Sequence, residues 1–127
     1  VRLLALLLSC SLLAIGCRAN APVYNIRDAP VSASKARPSL EEVGVAIRRA
    51  GTSLGWRMTP REPGHIQGTL YVRTHVAVVD VNYTTRAYSI RYADSTDLNF
   101  DGDSIHPNYN RWIQKLDDAI RAQLLAL

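Results

Sequence analysis

The chain has 127 residues, 47% of them hydrophobic, with 15 Lys and Arg against 11 Asp and Glu and a formal charge of +4. That length suits one compact domain rather than two. The basic residues are scattered, with Arg48-Arg49 the only adjacent pair, so the pattern lacks the one-sided Lys/Arg stripe of a nucleic-acid binder, and no nucleic-acid partner is expected.

Val1-Arg2 is a short basic start, Leu3 to Ile15 an almost purely apolar run, and Gly16 a small residue directly before Cys17. A positive charge, an apolar stretch and a small residue at its end make a secretory signal. The run falls short of the ~20 apolar residues of a membrane-crossing helix. Leu13-Ala14-Ile15-Gly16-Cys17 resembles a bacterial lipoprotein signal, and the resemblance implies cleavage after residue 16 and acylation of Cys17. Stable anchoring takes more than one acyl chain, each buried methylene contributing about 0.8 kcal/mol. Arg18, where an Asp would favour inner-membrane retention in lipoproteins of the enteric type, points to the outer membrane, facing the periplasm. Cys10 leaves with the leader, so no intramolecular disulfide is expected.

Residues 17–38 read as the acylated cysteine and a flexible tether, rich in Ala, Pro and Ser. Within it, Val23-Tyr24-Asn25-Ile26 is an apolar island able to dock as an edge strand. A single domain is expected over residues 39–127. Ser39-Leu40-Glu41-Glu42 has capping-box spacing, and Leu40, Val43, Ile47, Ala50 and Leu54 follow as one apolar stripe. Gly55 suits the helix end. Gly44 and Gly51 lower helix propensity and permit close approach to a sheet.

The middle of the chain reads as β. Trp56-Arg57-Met58 starts a first strand, Pro60 to Gly64 turns, and residues 65–73, 75–83 and 86–92 form three more strands. A turn at Arg73-Thr74 pairs Ile66 with Val81, Gly68 with Val79 and Leu70 with Ala77. A turn at Thr84-Thr85 pairs Val81 with Tyr88, Val79 with Ile90 and Ala77 with Tyr92. Both hairpins gather the large apolar residues on one face, a test a one-residue slip would fail. The other face carries Gln67, Thr69, Tyr71, Val76, Val78, Asp80, Asn82, Ser89 and Arg91. After Pro107, Tyr109, Trp112, Ile113, Leu116, Ile120 and Leu124 form a second helical stripe. The expected fold is α+β: a four-stranded antiparallel meander with two helices packed on one face, in the order αββββα.

No catalytic motif stands out. His65 falls on the open face, His75 on the helix-covered face and His106 before the last helix, so no shared metal is expected. Asp97 to Asp103 begins like a calcium loop, but its twelfth position is Asn108 where a bidentate Glu is required; a plain acidic turn is the expectation. No cofactor is implied. Asp80, beside Arg91 and Gln67, reads as a cross-strand polar pair. His106, Asn108 and Asn110, with Tyr109 and Trp112, either rim a small polar pocket or cap and pack the helix start.

Tyr88-Ser89-Ile90-Arg91-Tyr92, Asp94-Ser95-Thr96-Asp97-Leu98, and the run from Ile105 to Ile113 with Leu116 resemble a group of small proteobacterial lipoproteins of uncharacterised function. The likeness extends over nearly the whole chain. It implies export and a single α+β domain, and carries one residue role, acylation at Cys17. The expected function is a membrane-anchored envelope lipoprotein, not an enzyme, whose domain binds an envelope protein or polymer. Candidate contacts are Tyr71, Asp80 and Arg91 on the open face and His106, Asn108 and Asn110 in the loop region. An accessory subunit of an envelope assembly, or a hydrolase using His106, are the alternatives.

Overall fold

The computed structural model describes residues 19–127; the expected leader and Cys17 lie outside them. The elements run β1 (Ala21–Pro22), β2 (Ile26–Pro30), α1 (Leu40–Ser53), β3 (Arg57–Glu62), β4 (His65–Val72), β5 (His75–Tyr83), β6 (Ala87–Thr96), β7 (Ser104–Ile105) and α2 (Pro107–Leu125). Strands β2-β6-β5-β4-β3 form a five-stranded antiparallel sheet, and β1 pairs with β7 in a small second one.

The α+β class and the β3–β6 meander match the sequence reading, but the sheet is wider by one strand. The extra strand comes from the stretch expected to be a tether with an island at Val23 to Ile26 able to dock as an edge strand. The edge strand runs over Ile26–Pro30 and shares only Ile26 with that island. Ile26 and Ala29 are buried against the core, and Ile26 pairs with Ile90, Ala29 with Tyr88. Asp28 sits between them at φ 48, and the register shifts there. That bulge breaks the alternation by which a strand is recognised. Chain order is therefore two strands, a helix, four strands, a short strand and a helix, in place of αββββα.

Helix α1 starts on the predicted capping box, with Ser39 Oγ accepting from Glu42 N and a Glu42 carboxylate oxygen accepting from Ser39 N, both at 3.0 Å. Gly55, at φ 87, follows its end. A Cβ at Gly51 would collide with Met58 Sδ and one at Gly44 would lie 2.5 Å from Tyr83 Oη, so both helix glycines serve close approach to the sheet.

The β4–β5 register is the predicted one, with Ile66 opposite Val81 and Val72 opposite His75. The β5–β6 register differs by two residues: Val81 faces Ile90 and Val79 faces Tyr92. Thr84 Oγ1 accepts from Arg86 N and Ala87 N and closes a longer loop than the expected two-residue turn. A shift of two keeps every side chain on its face, so Ala77, Val79, Val81, Tyr88 and Ile90 are all buried. A further shift between Val78 and Val79 re-registers the end of β6, where Ala77 faces Ser95.

The helices pack on each other and on that apolar face, and Val43, Ile47, Ile113, Leu116 and Ile120 join the sheet residues in one core. The other face has no helix over it. Both outer strands carry a proline and a bulge, Pro30 in β2 and Pro60 in β3, as strands at a sheet edge commonly do.

Candidate functional site

The uncovered sheet face is divided by chemistry. Toward the start of β4 it is polar: His65 Nε2 lies 2.7 Å from Asp80 Oδ1, and His65 Nδ1 lies 3.9 Å from Glu62 Oε1. Asp80 stands opposite Gln67, as expected, and the two-residue shift brings Arg91 directly opposite it on the other side, but its short contact is His65 on the diagonal. Gln67 Oε1 accepts from Arg61 Nη2. Arg91 is exposed and has no ion-pair partner among the described residues. Toward the other end of the strands the face turns apolar. Tyr71 is 61% exposed beside half-buried Val76 and Val78, and Arg57 Cζ stands 5.9 Å from its ring centroid, within cation–π range. An open tyrosine ring with the Arg57 guanidinium beside it combines two residue types enriched in interface hot spots.

The three residues expected at the helix start do separate work. His106 is the N-cap of α2, its Nδ1 accepting from Asn108 N at 3.1 Å. Asn108 Oδ1 accepts from Arg111 Nη1 at 3.1 Å. Asn110 holds the N-terminal segment: its Oδ1 accepts from Tyr24 N at 3.0 Å and its Nδ2 donates to Pro22 O at 2.9 Å. Tyr109 and Ile113 are core residues and Trp112 packs at its margin. The packing and capping description therefore fits this region, with Asn110 a clamp between segments rather than a cap.

In the acidic loop, Asp101 Oδ1 accepts from Asp103 N at 3.1 Å and Ser104 N at 2.8 Å, and its Oδ2 from Ser104 Oγ at 2.8 Å. The Ser104 N–H first, with the Ser104 hydroxyl and Asp103 N–H, holds the Asp101 carboxyl below its ordinary range. Asp97 Oδ2 accepts from Thr74 Oγ1 at 2.5 Å, and Asp97 O bonds His75 Nδ1 at 2.6 Å. These carboxylates stabilise turns. Among the described residues no three His, Cys, Asp or Glu side chains gather as metal ligands.

Two features had escaped the sequence reading. Asp117 in α2 is buried, accepting from Tyr88 Oη at 2.6 Å and from Arg121 Nε at 3.1 Å. Burial first, then the Asp117 carboxylate, raises the Tyr88 hydroxyl's pKa well above the ordinary value. Its signal was present: an acid four residues after core Ile113, with an arginine four residues later. The second is a groove of about 610 Å³ between α1 and the β3–β4 hairpin, with Leu40, Ile66, Pro60 and Tyr83 in its wall and Arg48 and Glu62 at its sides. It joins segments distant in sequence and has no local signature.

Compared with known families, curated proteins and solved structures, the chain matches none. Among the described residues no helix is long and apolar enough to cross a membrane.

Proposed function

We propose that the protein is an envelope lipoprotein, anchored by acylation of Cys17 and oriented towards the periplasm, whose domain acts as a binding module through its uncovered sheet face. The reading rests most on that face: both helices pack on the other one, and Tyr71 stands 61% exposed in a surface with Arg57, Val76 and Val78. A tyrosine in a contiguous apolar surface with Val76 and Val78, beside an arginine, is a composition suited to a contact outside the chain. The leader pattern ending at Cys17 supports the anchor, and a lipid anchor places a small domain where envelope proteins and polymers are concentrated. Against the catalytic alternative, His106 gives a ring nitrogen to the cap of α2, and the histidine–carboxylate contacts among the described residues are at His65 and His75 instead.

The test is photocrosslinking in cells with a benzophenone amino acid at position 71, 78 or 91, set against positions 49 and 114 on the outer sides of the helices. A discrete adduct from the sheet positions alone is expected, abolished by Tyr71→Ala at the untouched sites. Equal adducts from all five positions, or adducts from the helix positions only, reject the open face as the binding surface. Intact mass of the membrane-extracted protein tests the anchor separately.

A further inference from the structure

We infer that the domain is seated directly on the bilayer by the end that carries the β6–β7 loop, and that this end meets the lipid headgroups. The inference rests on the proposed acylation of Cys17 and adds an orientation to it. A lipoprotein domain on a long tether would have no preferred face toward the membrane. This chain is bound to its own domain almost as soon as Cys17 is passed.

Asn20 Nδ2 donates to Asn99 O at 2.7 Å, Ala21 pairs with Ile105, and Val23 N donates to Asp103 O at 3.0 Å. Asn110 then clamps the backbone at Pro22 and Tyr24 from both sides. Only three residue steps separate Cys17 from Asn20, and three fully extended residues reach at most about 11 Å. The headgroup layer is about 5–8 Å deep on each side of the hydrocarbon core. A thioether-linked lipid places the Cys17 sulfur at that layer, so Asn20 and the loop it is bonded to stay within a few ångströms of the lipid surface.

The residues at this end fit that partner. Phe100 and Tyr24 are 40% and 38% exposed, and aromatic rings are favoured at the membrane–water boundary. Asp97, Asp101 and Asp103 share this end with Arg73 and with Arg111 beside Pro22 and Tyr24, a mixed charge that suits zwitterionic headgroups such as phosphatidylethanolamine. Thr74 and His75 tie the β4–β5 turn to Asp97, which makes this end one rigid base. The other ends of the strands, at Gly64 and Thr84, lie about 30 Å away along strands of this length. The groove beside Pro60 and Tyr83 and the polar part of the open face are therefore carried clear of the membrane.

The test uses the full chain, expressed with its leader in a bacterial host, extracted from the membrane fraction and weighed intact. It is then placed in phosphatidylcholine–phosphatidylethanolamine nanodiscs containing a trace of lipid with a nitroxide headgroup. Backbone amide signals of Asn20, Ala21, Val23, Tyr24 and residues 99–103 are expected to lose most of their intensity, while those of Gly64 and residues 84–86 keep theirs. Equal loss at both ends, or full intensity at 99–103 in acylated protein, overturns the orientation while the anchor stands. A mass without acyl groups removes the anchor and the orientation together. As a second arm, a Gly-Ser insertion of about ten residues after Arg18 adds roughly 17 Å of average reach and is expected to restore the signals of 99–103; unchanged loss there overturns the argument from length.

Discussion

Tyr88→Phe tests the buried tie between sheet and helix. The substitution removes one oxygen and little volume, so packing around the ring is kept. What it takes away is the 2.6 Å bond from Tyr88 Oη to the buried carboxylate of Asp117. A hydrogen bond to a charged group contributes about 1.5–3 kcal/mol, and a buried acceptor left short of donors loses its solvation as well. Arg121 Nε still donates to the other oxygen, which limits the damage, so the expected loss is about 2 kcal/mol, or roughly 30-fold in the folding equilibrium. Urea unfolding followed by tryptophan fluorescence measures it, with the slope unchanged if only stability has moved. Asp117→Leu alone strands the Tyr88 hydroxyl and is expected to cost a similar amount. The double variant Tyr88→Phe, Asp117→Leu leaves neither group unpaired and is expected to be more stable than the sum of the single changes by at least ~1 kcal/mol. A Tyr88→Phe protein within ~0.5 kcal/mol of the parent, the scatter of an ordinary surface change, would refute the assignment of the bond as a stabilising contact.

Asn110→Ala removes both bonds to the N-terminal segment; hydrogen exchange at Tyr24 is expected to accelerate while exchange in β5 stays as it was, and unchanged protection at Tyr24 counts against the clamp. Deleting residues 19–30 uncovers the edge of β6 by removing Ile26 and Ala29 from the core, so loss of cooperative unfolding or aggregation is expected; an undisturbed urea transition would show that the segment is a tether after all. The Glu42 carboxyl is held below its ordinary 4.5 by the Ser39 N–H first and the Lys35 side chain next. Its folded value is thus lower than its unfolded one, so its contribution is complete above about 4.5 and disappears as pH falls through the folded value. The stability gap between parent and Glu42→Gln should narrow on acidification below that pH, and a gap constant with pH would contradict the pairing. For Tyr88 the sign is opposite: with its value raised above 10.0, its contribution is present at neutral pH and declines as the solution becomes strongly alkaline, and Tyr88→Phe should flatten that decline in urea midpoints.

What could be read in the sequence was whatever depended on local periodicity. The β4–β5 pairing was legible because Arg73-Thr74 closes a two-residue turn and both strands alternate without interruption. In the next hairpin the Thr84 side chain captures two backbone amides, and that choice of loop displaces the register by two without moving a residue to the wrong face. The β2 strand was hidden because Asp28 turns into a left-handed conformation and places Ile26 and Ala29 on the same side three residues apart. The open-face residues Tyr71, Asp80 and Arg91 could be assigned to their face by alternation alone. The partner of Asp80 could not, since the diagonal contact to His65 depends on side-chain direction. The clamp by Asn110 and the tie at Asp117 join segments 86 and 29 residues apart, beyond any local pattern.

The N-terminal segment links the two halves of the proposed function. If β2 is the edge of the sheet, the same hydrogen bonds that complete the sheet also fix where the chain leaves the domain. A free tether of the expected length would let the open face sample every orientation and would weaken any contact that depends on approach from one side. With the exit held at Asn20 by Asn99, the strands and the open face share one defined relation to the attachment point. A partner standing in the same membrane then meets Tyr71 and Arg57 close to the lipid surface, while Asp80, His65 and Arg91 lie further along the strands. The order in which substitutions along β4 and β6 weaken crosslinking is therefore informative: loss that is largest at Tyr71 indicates a membrane-proximal partner, and loss that is largest at Arg91 indicates one approaching from the periplasmic side.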